Sequence, residues 1–271
     1  MDVCMWAKNG ANYLPTVLKQ IDKVIPKEFV GQKIFVDDQS TDNSVDLAKK
    51  FGWTVYHNTQ GGVCGGFNEA VKHVRTKFFV SVEQDVVLAP EWFNIVSRIV
   101  DNPKVAVAQG IRVPSEPVLR AIYLDKIENE AYESQLISLD NNVWRTSVIK
   151  EIGGFPEDLK FAADRYLYPR ILQRGYQWVT DHSIVSIHIR EGIRKNYAHD
   201  HQAILRADIP QQIDTLTAGS GVNLILNGLR RSVRVAFKKN LPIILVAYPY
   251  MCLMNLRTKI RLKGIQRKTV L

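Results

Sequence analysis

The sequence predicts an α/β protein with a doubly wound, mainly parallel sheet, followed by a basic helical tail. Three observations carry this. Short apolar runs alternate with amphipathic runs of helical spacing through the first half of the chain. Polar and acidic residues gather where the apolar runs end. Acidic residues stop at Asp214, while Lys and Arg continue to the C-terminal end. Strands separated by helices of 10–15 residues imply parallel pairing with helices on both faces of the sheet.

The elements follow in order. Val3–Ala7 reads as a strand and Tyr13–Ile25 as a helix. Lys33–Asp38 is a strand, and Ser40 caps a helix that runs to about Phe51. Trp53–His57 is a strand, Phe67–Arg75 a helix and Phe78–Asp85 a strand. Pro90 opens a helix through Val100, and Val105–Val113 is a further strand. An acidic helical stretch lies near Leu124–Glu133. A helix follows from about Ala162 to Arg174, and Tyr176–Ile189 reads as one or two strands.

Charge divides the chain. Residues 215–271 hold eleven of the 36 Lys and Arg and none of the 27 acids, so residues 1–214 carry a balance of −2. The net +9 therefore belongs to the tail, and no nucleic-acid reader pattern accompanies it, which argues against a nucleic-acid partner. Three dispersed cysteines, Cys4, Cys64 and Cys252, fit neither a disulfide framework nor a zinc site. With Met1–Asp2 leading straight into a strand, the expectation is a reducing cytosol.

Ligands on doubly wound sheets bind at the carboxyl ends of the strands. Those ends here carry Lys8-Asn9, Asp37-Asp38, Asn58 and Glu83-Gln84-Asp85. Asp37-Asp38 precedes Ser40-Thr41-Asp42. This is either a strand-to-helix turn with Ser40 or Asp42 as cap, or carboxylates that accept hydrogen bonds from a nucleobase or ribose. The run Gln60–Asn68 holds four glycines before a helix. It reads as a plain loop or as backbone N–H groups facing an anion. Glu83 and Asp85, two apart on an extended chain, point the same way. They are a solvated strand end or oxygen ligands for Mg²⁺ or Mn²⁺. Asp164 near a helix start gains from the helix dipole, or serves as a general base. His182 and His188 share a face of a regular strand. His199 and His201 form a second pair in a polar loop.

In order, these segments resemble family 2 glycosyltransferases of the GT-A fold. The matching pieces are Asn9–Leu14, Val36–Asp42 with its Asp-Asp-x-Ser-Thr-Asp run, the glycine stretch ending in Asn68, Glu83–Asp85, Ile152–Phe155, and Asp164 with Arg170 and Gly175. The resemblance covers about residues 2–190. It implies a Rossmann-like domain with a mixed, mainly parallel sheet flanked by helices. It also implies an inverting enzyme that transfers a sugar from a nucleotide-diphosphate donor, UDP before GDP, to a glycan or lipid-linked acceptor. The resemblance makes Lys8, Asn9, Asp37, Asp38, Gly62, Asn68 and Gln84 donor-binding. It makes Glu83, Asp85 and His188 the site of Mn²⁺ or Mg²⁺, and Asp164 the catalytic base. Glu83 stands where the family's DxD motif has its first Asp, and Ala163 where the Glu of a Glu-Asp pair is usual. Two further readings stay open: a polyprenyl-phosphate glycosyltransferase, and a non-catalytic nucleotide-sugar-binding or membrane-scaffold relative.

The expected organisation is a catalytic domain over 1–215, with a donor half to about 113 and an acceptor half from about 114, and a tail over 216–271. In the tail, Val222, Ile225, Leu226, Leu229, Val233, Ala236 and Phe237 share one helical face; Arg230, Arg231, Arg234 and Lys238 gather on the other. Residues 241–256 are uncharged but shorter than the roughly 20 residues a spanning helix needs. The tail is therefore expected to lie on an anionic membrane surface, peripheral at the cytoplasmic face.

Overall fold

The computed structural model describes residues 1–129, 137–159, 163–189 and 221–250, with 252–253, 256–257 and 260 beyond them. The readings at 130–133, Ala162, His199 and His201 lie outside the described residues. So do the tail bases Lys259, Arg261, Lys263, Arg267 and Lys268.

The first half builds β1 (Asp2–Ala7), α1 (Leu14–Val24), β2 (Lys33–Asp37), α2 (Ser44–Lys50), β3 (Thr54–His57) and α3 (Gly62–His73). Then come β4 (Phe78–Ser81), β5 (Val86–Val87), α4 (Ile95–Val100) and β6 (Val105–Pro114). Next are α5 (Pro117–Asn129), β7 (Asn142–Arg145), α6 (Thr146–Ile152), α7 (Ala163–Gln173) and β8 (Gln177–His188). The last named element is α8 (Gly221–Lys239). One sheet runs in the order β3-β2-β1-β4-β7-β6-β8-β5. β3, β2, β1 and β4 pair in parallel, whereas β7 pairs antiparallel with β4 and β6, and β8 with β5.

β1 is buried on both faces, as a central parallel strand must be. Its alternate side chains feed two cores. Val3, Met5 and Ala7 join Leu14, Val17, Leu18 and Ile21 of α1, while Cys4 and Trp6 join Phe67 and Ala70 of α3. The 14, 17, 18, 21 spacing is what makes α1 helical, with Pro15 in its first turn, where a missing N–H costs nothing. With α1 and α3 on opposite faces, the strand order reverses around β1 and β4, the place where sheets of this kind put a ligand crevice at their carboxyl ends.

Two compact units result: residues 1–113 with 132–189, and residues 114–131 with 190–271. Thus α5 belongs with α8 rather than with the sheet.

The elements differ from the sequence reading in several places: the α-helix expected from Pro90 starts at Ile95, α5 starts at Pro117 rather than near Leu124, and β7 and α6 fill a stretch without an expected element. α2 begins at Ser44, not after Ser40, because Gln39 takes a left-handed φ of 61° and the Ser40 N–H turns back to the Asp37 carboxylate. α3 begins at Gly62, so the glycine run is mostly helix. Gly61 and Gly62 supply positive φ. Gly66 lets the helix press onto β1, since a Cβ there would lie 2.6 Å from Trp6 Cβ. The strand expected to reach Asp85 stops at Ser81, and residues 82–85 turn, with the Val86 N–H donating to the Glu83 carbonyl at 3.2 Å.

Candidate active site

The crevice has two polar walls. The first stands at the ends of β1 and β2. Asp37 is buried and accepts from the Ser40 N–H, so it shapes the turn. Asp38 faces the glycine-rich start of α3. Its carboxylate accepts from the Gly62 N–H at 3.3 Å and from Asn58 Nδ2 at 3.1 Å, with Lys8 Nζ 3.7 Å away. Asn58 also accepts from the Gly61 N–H and donates to the Gly62 carbonyl. Asn9, at a φ of 51°, joins β1 to the same turn. Its N–H donates to Ser40 Oγ and its Oδ1 accepts from the Thr41 N–H. Lys8, Asp38 and Gly62 are thus brought together.

Gln84 crosses from the far side. Its Oε1 accepts from the Lys8 N–H at 2.8 Å and its Nε2 donates to the Lys8 carbonyl at 3.2 Å, a two-point clamp on the end of β1. Asn68 makes a similar clamp elsewhere. It accepts from the Phe155 N–H and donates to the Phe155 carbonyl, each at 2.8 Å, and so fixes the turn in which Gly153 and Gly154 have positive φ. Both amides hold backbone in place.

The second wall is acidic. Antiparallel pairing sets Val86 against His188 and carries the Ile189 N–H to the Asp85 carbonyl, so the end of β8 meets the turn after β4. Ligand atoms of Glu83, Asp85 and His188 lie within 4.8 Å of one another, with His188 Nε2 3.0 Å from Asp85 Oδ2. Turned backbone, not the extended chain expected, makes Glu83 and Asp85 converge. His182 stands exposed, apart from this group.

Two residues of this wall were not singled out from sequence. Arg112 of β6 donates to Glu83 Oε2 at 3.1 Å and to Asp140 Oδ2 at 2.7 Å. Asp140 is fully buried, and its Oδ1 has no hydrogen-bond partner among the described residues. Burial, then the Asp140 and Asp85 charges, push the Glu83 carboxyl up to about 8 against the opposing pull of Arg112. A signal existed for Arg112: it is the one charge in the ten-residue strand VAVAQGIRVP. For Asp140 there was none beyond a polar run before an aromatic strand.

Two carboxylates and an imidazole with converging atoms suit a divalent cation. Burial, with Asp140 and Asp85 nearby, raises the Glu83 carboxyl, and a cation there would offset the cost of its ionised form. Asp164 is half-buried in the first turn of α7, outside the Glu83, Asp85 and His188 group. Ala163 beside it is packed into the second core.

The model of glycosyl transferase family 2 matches residues 2–155, more than half of the chain. The chain belongs to this family. Glycosyltransferases of solved structure share its GT-A fold. A mannosyltransferase from Pyrobaculum calidifontis, solved with GDP-Man and Mn²⁺, superposes with a TM-score of 0.57 at 18% identity, over 98% of this chain and 74% of that one. TarS of S. aureus gives 0.55 at 19% identity over 78% of this chain, which spans 40% of that protein. Glucosyl-3-phosphoglycerate synthase of Mycobacterium tuberculosis, solved with Mn²⁺, UDP and glucosyl-3-phosphoglycerate, gives 0.53 at 15% identity, covering 77% and 80%. Among curated proteins no sequence matches.

Proposed function

We propose that this chain is an inverting, metal-dependent glycosyltransferase that moves a sugar from a nucleotide-diphosphate donor to an acceptor hydroxyl. The observation that carries the reading is the juxtaposition, across one crevice, of the Lys8–Asp38–Gly62 wall with the convergent Glu83, Asp85 and His188. Family membership and the nucleotide complexes of the structural relatives support it: GDP-Man in one, UDP in another, and UDP-GlcNAc with TarS. UDP is the first donor nucleotide to test and GDP the second.

In this reading Asp38 accepts hydrogen bonds from the donor's base or ribose, and Lys8 balances it. Asp85 and His188, with Glu83 beside them, would hold Mn²⁺ or Mg²⁺. A cation bound there supplies positive charge to the departing diphosphate. Asp164 takes the proton from the acceptor hydroxyl as its oxygen attacks the anomeric carbon, and one in-line displacement inverts that centre. The acceptor in this reading is a hydroxyl of a glycan or of a lipid-linked acceptor.

The test is nucleotide release from a donor panel with and without Mn²⁺, on wild type and Asp164→Asn. The expected result is Mn²⁺-dependent release, reduced by about 10²-fold or more in the variant with donor affinity kept. Full turnover by the variant would instead point to an already ionised phosphate acceptor. No release from any donor would leave a non-catalytic sugar-nucleotide binder.

A further inference from the structure

The tail helices carry an apolar surface that their own packing does not use. Ten of the fourteen exposed large hydrophobic side chains among the described residues lie between Leu226 and Ile260. The other four are scattered through residues 29–172, as single exposed apolar residues normally are. On α8 the exposed set is Leu226, Leu229, Val233 and Phe237, spaced three and four apart and therefore one stripe, with Phe237 81% exposed. The next helical stretch adds Ile243, Val246 and Leu253, with Val246 69% exposed.

The inward side is already filled. Val235, Ala236, Ile244 and Tyr248 pack with Val118, Leu119 and Ile122 of α5. Beside that core, Arg234 pairs with the buried Asp125 at 2.7 Å, and Lys238 and Lys239 pair with Glu128. The division differs from the expected one of apolar face against basic face. Some of the bases turn towards α5's acids, and most of the apolar stripe turns out.

We propose that this stripe is a docking surface for an anionic lipid bilayer, on which α8 and the helix after it lie in the interface. Charge selects the occupant. Residues 215–271 hold eleven bases and no acid; Asp125 and Glu128 meet Arg234, Lys238 and Lys239, and the other bases leave the apolar stripe in a positive segment. Anionic headgroups answer both features at once. A second copy would set the same positive charge against itself. Among the described residues no helix is long and apolar enough to cross a membrane, which fits lying on the surface. The proposal is independent of the glycosyl-transfer reading.

The experiment is co-sedimentation of the full chain with vesicles of phosphatidylcholine alone or mixed with phosphatidylglycerol. Wild type should bind the anionic vesicles about tenfold or more tightly than the neutral ones, and high salt should remove this only in part. Val233→Glu with Phe237→Glu should weaken binding by about tenfold or more, and Val246→Glu should act in the same direction. Leu172→Glu, at an exposed position on α7, should change nothing. Circular dichroism and Mn²⁺-dependent nucleotide release, unchanged in the double variant, separate this result from misfolding and from failure of the enzymatic reading. Equal binding by wild type and the double variant, or no lipid preference, overturns the proposal. So does a wild-type dimer that the double variant converts to monomer without any effect of vesicles.

Discussion

Two strand ends in one sheet, both acidic, have opposite electrostatics. At the end of β2, Asp37 and Asp38 are met by backbone N–H groups, an asparagine amide and Lys8. After β4, Glu83 shares one guanidinium with Asp140, and burial, reinforced by the Asp140 and Asp85 charges, pushes its carboxyl up to about 8. The first end is built to present a fixed, compensated carboxylate. The second sets Glu83, Asp85 and Asp140 near one another, with one guanidinium shared by two of them. Acidic residues at strand ends thus carry different meanings, and the donors around them decide which.

The largest effect should come from the second end. Arg112→Gln leaves Asp140, which is fully buried, without its counter-charge. Breaking a buried pair on one side costs about 3–5 kcal/mol. A denaturant midpoint should fall accordingly, and adding Asp140→Asn should recover most of the loss. If Arg112→Gln alone were as stable as wild type, the two ends would not differ in charge balance.

Asp38→Asn should cost less, about 1–2 kcal/mol, because hydrogen-bond donors remain for an amide oxygen and only the charge is lost. Donor-nucleotide affinity should drop, while Mn²⁺ affinity stays put. A parallel fall in Mn²⁺ affinity would mean the two walls are one electrostatic unit.

Smallest of all, Gln84→Ala removes the clamp on Lys8. Both bonds are exposed, so stability should change by roughly 1 kcal/mol or less. The readout is donor affinity, which should weaken modestly as the Lys8 backbone loosens. An unchanged affinity would remove Gln84 from the site.

Much of this was legible in the sequence. Apolar patterning marked β1, α1, β2 and β3 nearly to the residue: β1 and β2 as runs buried on both faces, α1 by its 14, 17, 18, 21 spacing. Glu83, Asp85 and His188 were readable as residue types, but the turn at 82–85 that brings them together was not. The apolar run before it offers no breaker. The glycine run was seen but misread in part. Its role in close helix–sheet contact depends on Trp6, some sixty residues earlier. Arg112 pairs with both Glu83 and Asp140 across some 28 residues of chain, and no local pattern announces such contacts. In α8 the helical period was legible, but which side α5 would cover was not, since that depends on Asp125 and Glu128.

We propose that the second strand end is a cation site. Its most direct test is a Mn²⁺ titration followed by electron paramagnetic resonance, with UDP present, on wild type and Asp85→Ala. Wild type should bind Mn²⁺ saturably, and the variant should lose more than the about 10–100-fold typical of an outer-shell partner. Its melting temperature without metal should be little changed. Equal Mn²⁺ affinity in the two proteins would contradict the account.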